Sequence, residues 1–348
     1  MQVRKPALFS LIFSLLLFVA SACNGNVPTN SPNPTYSVPV QVTTAPTTSA
    51  PAPVKQGVAP VSLPQKHADE ANDINSSAGA AKKVAPPGSD TFVKDLFERP
   101  FNATTMDTYF PYIDIVDTQG FIDATWGYAT IALSGTDANG QLPAKYGVEL
   151  DLNKDGRGDW LIIASNPSST SWSTQGVQAW KDTNGDVGGM TPFVADTAPA
   201  GDGYETLVFD QGKGSDNPDG AWVRISPDNN KTVQIAFKLS MLGNPKSYAM
   251  GAWAGSDLNP AMFDYNDHMT HLQAGDPDPG IQLYPIKGLS EIDNTCRLAI
   301  GFVPTGNEPG LCFTFIKQHH ENGGPNPVAP PPPPPGNPNG NPSRGTGG

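Results

Sequence analysis

Cationic side chains are scarce in this sequence. Lys and Arg number 21 against 33 Asp and Glu, for a formal net charge of −12. Binding a phosphate backbone needs clustered Lys and Arg, so a nucleic-acid partner is excluded. Cysteine is rarer still, with three in 348 residues. No CxxC or Cys/His set has zinc-ligand spacing. No glutamate stands in an HExxH arrangement, and no GxSxG elbow, Walker loop or dinucleotide fingerprint occurs. An enzyme therefore gets no positive support from motifs. Helical periodicity is confined to DTFVKDLFER near residue 90, with short turns expected at Lys238–Leu242 and Asp267–Gln273.

Long apolar runs are absent apart from LFSLIFSLLLFVA, which follows Arg4 and Lys5 and precedes SACN. Basic start, apolar centre and small residues make the layout of a secretory signal, too short for a convincing membrane span. Ala20-Ser21-Ala22-Cys23 resembles a bacterial lipobox, which implies lipidation of Cys23 after removal of residues 1–22 and a membrane partner through the lipid. Ala20 departs from the usual leucine, and an ordinary cleavage after Ala22 is the other reading. Residues 23–90 are rich in Pro, Thr, Ser and Ala without apolar periodicity, and read as a disordered tether. Residues 318–348 read as a polyproline rod with a Gly/Asn tail. Residues 91–317 then form one domain of roughly 225 residues.

Within that block apolar residues recur at period two, bounded by Gly, Asp, Asn and Pro. The predicted strands are Tyr112–Val116, Phe121–Leu133, Tyr146–Leu150, Trp160–Ala164, Gly176–Lys181, Tyr204–Phe209, Ala221–Ile225, Val233–Lys238, Ser247–Gly255 and Leu298–Val303. The fold class they imply is mostly β: an antiparallel β-sandwich of immunoglobulin or jelly-roll type with few short helices.

The stretch DLNKDGRGDW falls in a predicted hairpin. Calcium takes six to eight hard oxygens, and alternate side chains of a tight loop converge if a glycine permits the bend. Asp151, Asn153, Asp155 and Asp159 occupy positions one, three, five and nine of such a loop, Gly156 the sixth, and the Arg157 carbonyl the seventh. The twelfth position, where EF-hand and dockerin loops place glutamate, is Ile162, and no flanking helix is expected. A structural calcium ion is the expectation; the other reading is an acidic turn whose Asn, Asp and Gly serve turn geometry alone. Asp182, Asn184 and Asp186 repeat the alternation as a second candidate metal turn. His268 and His271 would share one helical face, which is weak evidence for a transition metal beside the reading of a capped, solvated turn. Glu205 and Glu291 would be the acid pair of a glycoside hydrolase, although nothing in the sequence brings them together.

Six tryptophans fall on or beside predicted strands, and Trp172, in the loop SNPSSTSWSTQG, is expected to be exposed as a platform for a sugar ring. The segments PYIDIVDTQGFIDATWGYATIALSG and YGVELDLNKDGRGDW resemble, in pattern, sandwich modules of the ninth carbohydrate-binding family and the related DOMON domains. That resemblance implies ligand binding outside the cell, here of a glycan or cell-wall polymer. A purely structural envelope protein and a secreted hydrolase are the alternatives. Cys296 and Cys312 remain for a disulfide, which export permits. A flat hairpin would hold them roughly 20 Å apart, so the bridge requires Val303–Leu311 to be an irregular loop.

Overall fold

The computed structural model describes residues 57–80, 90–103, 105–188, 201–213, 217–263, 265–275 and 286–312. Residues 1–22, Cys23 and the segment beyond residue 317 lie outside the described residues. Two antiparallel sheets form a sandwich. The first runs in the order β1 (Asp69–Asn72), β3 (Ile115–Ile122), β4 (Trp126–Leu133), β10 (Thr232–Lys238) and β9 (Ala221–Ile225). The second runs β2 (Glu98–Arg99), β12 (Ile292–Asn294), β11 (Tyr248–Gly255), β5 (Lys145–Asp151), β6 (Trp160–Ser165), β7 (Val177–Lys181) and β8 (Thr206–Asp210), with β13 (Leu298–Ile300) also paired to β11. The helices are single turns: α1 (Ser77–Ala80), α2 (Tyr265–His268) and α3 (His271–Ala274).

Period-two alternation fills the space between the sheets. Ala129, Ile131 and Leu133 of β4 and Val233, Ile235 and Phe237 of β10 share one buried cluster with Tyr146, Val148 and Leu150 of β5 and Trp160 and Ile162 of β6. Burial of such side chains contributes about 1.5–3 kcal/mol each. The outer faces are covered too. Leu161, Ile163 and Trp253 pack against Phe92, Phe97, Tyr204 and Phe263 from loops, and Phe121, Trp126 and Tyr128 pack with Leu63, Trp172 and Trp222 over the first sheet.

Three expectations are corrected. Phe121–Leu133 is two strands, because Asp123 accepts hydrogen bonds from the amides of Thr125 and Trp126 and turns the chain back. DTFVKDLFER is not a helix: a 3-10 turn at Phe92–Lys94 ends at Asp95 with φ of 52°, and Glu98 and Arg99 enter β2. The folded unit also begins well before Thr91, inside the expected tether. β1 pairs Asp69–Asn72 with Asp117–Gly120, Pro60 is buried, and Leu63 lies against the outer aromatic cluster. DEAN carries no apolar alternation because its contribution is backbone pairing at a sheet edge.

The disulfide joins Cys296 to Cys312 with a Cα separation of 5.0 Å. No strand forms over residues 303–310. That irregular loop folds back so that the Arg297 amide donates to the Gly310 carbonyl and the Cys312 amide to the Arg297 carbonyl, each at 2.9 Å.

Candidate functional site

The β5–β6 hairpin spends its acidic side chains on its own backbone. Asp151 accepts from the amides of Lys154 (2.6 Å) and Gly156 (2.8 Å), and Asp159 from that of Leu152 (2.6 Å). Asn153 accepts from the Asp155 amide, and Asp155 from the Arg157 amide, both at 2.9 Å. Lys154 and Gly156 take left-handed φ values of 66° and 91°, and the glycine does so without a Cβ penalty. Asp151 also meets Arg297, whose Nη1 lies 3.2 Å from Oδ2 with both side chains buried. Burial raises the Asp151 and Asp159 carboxyls, and Arg297 opposes this at Asp151.

Arg297 belongs to a larger buried set. Its Nη2 is 3.3 Å from Oε1 of Glu149, the Tyr204 hydroxyl donates to that oxygen at 2.7 Å, and the Trp253 indole donates to Oε2 at 3.1 Å. Gly158 leaves room for the arrangement, since a Cβ there would meet the Tyr204 hydroxyl at 1.7 Å.

The second acidic turn copies the first. Asp182 accepts from the amides of Asn184, Gly185 and Val187, and Asn184 donates to Asp186 at 3.1 Å as Asn153 donates to Asp155 at 3.0 Å. The turns touch, because the Asp182 amide donates to the Asp159 carbonyl and Arg157 Nη1 to the Val187 carbonyl. Neither turn gathers three carboxylates round one point among the described residues. Their acids cap amides in the manner of turn geometry.

A convergence of that kind exists elsewhere. Asp73, Glu98 and Asp293 each place one carboxylate oxygen so that all three atoms lie within 4.8 Å of one another. They come from the end of β1, from β2 and from β12, and Asp114, from the turn before β3, acts on all three electrostatically. Asp114 and Asp293 are 0% exposed and Glu98 is 2% exposed, so water does not screen them. Ser76 donates its amide to Asp114 and its hydroxyl to Glu98, the Tyr109 hydroxyl donates to Asp114, and the Ile115 amide donates to Asp293 at 2.6 Å. Asp73 Oδ2, Asp114 Oδ1 and Asp293 Oδ1 have no hydrogen-bond partner among the described residues. Burial first, and then mutual repulsion, pushes Asp73 up to about 7, Glu98 up to about 10 and Asp293 well above the carboxylate range; burial raises Asp114 to about 6. No sequence motif announces this box, because its members come from four separated segments.

Trp172 is half-buried rather than exposed. It packs on Tyr128, and the Arg224 guanidinium lies 4.4 Å from its ring centroid, as expected of a cation–π contact. Beside it the 166–176 loop and β9 enclose a cavity of about 330 Å³. Asn166, Ser169, Ser173, Gln175, Gln211 and Arg224 are among its lining residues. Exchanged backbone hydrogen bonds between Ser173 and Val223 fix the loop to the strand. His268 closes α2 and His271 opens α3, a separate helix capped by Thr270, and the His271 ring lies tilted against Phe92 with 4.7 Å between centroids. Glu205 accepts from Thr183 beside the second acidic turn, whereas Glu291 lines a different hollow with Asp257 and Tyr265, so the structure does not pair them.

The fold and these features define the class: an antiparallel β-sandwich with capped acidic turns, a buried carboxylate box and a polar groove. Comparison with protein-family models, with curated proteins and with solved structures returned no match.

Proposed function

We propose that this chain is an exported protein, held at the cell envelope by a lipid on Cys23, whose sandwich domain binds a glycan or cell-wall polymer. The observation that carries the reading is the groove between the 166–176 loop and β9. Its walls offer hydroxyls, amides and one guanidinium, with no carboxylate among the lining residues. A sugar polymer presents many hydroxyls and little charge, and its partners are polar side chains of that kind. Arg224 is braced on two sides, by the Trp172 ring and by a 2.6 Å hydrogen bond to Gln234, so the wall is preorganised. The lipobox-like Ala20–Cys23 and the apolar run before it support the location.

The test is retention of the full chain on insoluble polysaccharides, peptidoglycan included, followed by calorimetry with soluble fragments of any polymer that retains it. Arg224→Ala is expected to weaken binding about 10-fold or more, as loss of a hydrogen bond of about 1.5–3 kcal/mol from a charged donor implies, and Gln175→Ala by about 2- to 10-fold, as loss of a neutral one of about 0.5–1.5 kcal/mol implies. Retention by no polymer, or equal retention of the variants, sinks the proposal. Mass spectrometry of the mature amino terminus is expected to find a lipidated Cys23, and an intact Met1 refutes the anchor.

A second reading, a structural envelope protein, is favoured by one observation. None of the six tryptophans is exposed: Trp126, Trp160 and Trp253 are buried, and Trp172, Trp180 and Trp222 half-buried. The polymer-retention result separates the two.

A further inference from the structure

We infer that the box formed by Asp73, Glu98, Asp114 and Asp293 is a calcium site that fastens the two sheets together along one edge. The geometry fits the ion. Oxygens around one calcium at 2.3–2.6 Å are separated by at most roughly 4.6–5.2 Å, and the Asp73, Glu98 and Asp293 oxygens all fall within 4.8 Å of one another. Asp114 lies near enough to act on all three electrostatically, and its Oδ1 has no hydrogen-bond partner among the described residues. Bidentate contacts and water complete the six to eight oxygens that calcium takes.

Burial decides between an ion site and an ordinary acidic patch. An acidic patch is solvated, whereas Asp293 is 0% exposed and keeps one oxygen without a partner among the described residues. Leaving such an atom unmatched is costly, the more so when it is charged. Its other oxygen is already engaged by the Ile115 amide, so the carboxyl is held with the bare oxygen free for a cation. The nearest guanidinium in sequence, Arg99, is committed elsewhere: its Nε and Nη2 grip Asp90 at 3.1 Å and 2.6 Å, and its Nη1 donates to the Ala274 and Leu289 carbonyls. The charges that act on Glu98 and Asp293 are those of other carboxylates.

The hardness of four carboxylates selects an alkaline-earth ion over a transition metal. Calcium fits better than magnesium, which keeps several waters and avoids all-protein cages. The position of the box gives the ion its purpose. Asp73 and Asp114 flank β1 and β3 of the first sheet, and Glu98 and Asp293 lie in β2 and β12 of the second. One ion therefore ties the edge of one sheet to the edge of the other.

The experiment uses the full chain freed of metal with chelator, then given calcium chloride or magnesium chloride at fixed ionic strength. Calcium is expected to raise the melting temperature in proportion to RT ln(1 + [L]/Kd) and to bind at one ion per box by calorimetry. Magnesium is expected to do less. Asp293→Asn and Glu98→Gln are expected to weaken binding more than the roughly 10–100-fold typical of second-layer changes. Asp293→Asn also relieves repulsion, so without metal it is expected to melt no lower than the metal-free wild type, which separates a lost site from a lost fold. Asp155→Ala, at the hairpin, is expected to keep the calcium response. No response of the wild type up to millimolar calcium, a full response in Asp293→Asn, or magnesium equal to calcium would each overturn the assignment.

Discussion

Arg297 shows how much one side chain organises. It is 0% exposed, flanked in sequence by Cys296 and by the first residue of β13, and it reaches both Glu149 and Asp151. Two buried acids share one guanidinium, and the Tyr204 hydroxyl and Trp253 indole donate to Glu149. Removing the cation would strand both acids in a low-dielectric setting, which is costly even where the intact pair itself adds little. Arg297→Ala is therefore expected to destabilise the domain by about 3–5 kcal/mol in a urea titration. A loss under about 1 kcal/mol, the range of exposed pairs, would show that water reaches the pair. Asp151 also stands at position one of the calcium-loop spacing, where two amides and Arg297 meet its oxygens, and spacing alone does not reveal those partners.

At the scale of elements, strands with an apolar face were legible and polar ones were not. Tyr146, Val148 and Leu150 alternate into the core as their pattern requires, and β5 through β11 fall close to the predicted ranges. DEAN, ER and IDN form β1, β2 and β12 without any apolar alternation, because these short strands are held at sheet margins by backbone pairing. Those are also the segments that carry or adjoin Asp73, Glu98 and Asp293, so missing the strands meant missing the box. The groove was half legible: the polar loop around Trp172 stood out, but the Arg224 contact that closes one ring face comes from a distant strand. Cysteine count and export point to the disulfide, and the fold-back at Gly310 supplies the geometry that a hairpin lacks. β1 supports a sharp expectation. A chain cut to begin at Asp90, near the domain boundary read from the sequence, loses the β1 ladder, Asp73, the Ser76 donors and Leu63. It is expected to melt lower than a chain beginning at Gly57 and to bind a hydrophobic dye through the uncovered Phe121 and Trp126. Equal melting of the two would mean that residues 57–80 lie on the sandwich without stabilising it.

For the whole molecule, the box sets how stability responds to pH. A carboxyl whose pKa is raised on folding binds its proton more tightly in the native state, so folding takes up protons and stability falls as pH rises from the unfolded pKa through the folded one. Asp73 rises from 3.8 to about 7, Asp114 from 3.8 to about 6 and Glu98 from 4.5 to about 10, each chiefly through burial. Asp293 moves the same way, and Asp90 adds its repulsion at Glu98 while the Tyr109 and Ser76 hydroxyls donate into the cluster. Acids held low by hydrogen bonds, such as Asp107, Asp137 and Glu308, act in the opposite sense, but only below the ordinary carboxylate range. Between about pH 5 and pH 8 the raised group therefore decides the slope. In chelator, the urea midpoint is expected to be higher at pH 5 than at pH 8, the reverse of a domain dominated by exposed ion pairs. With calcium present the fall should flatten, because the ion binds the deprotonated box and compensates the charge that protons otherwise remove. A midpoint that climbs from pH 5 to pH 8 in chelator would mean that the four carboxyls are solvated in the native state, and the cross-sheet fastening would lose its physical basis.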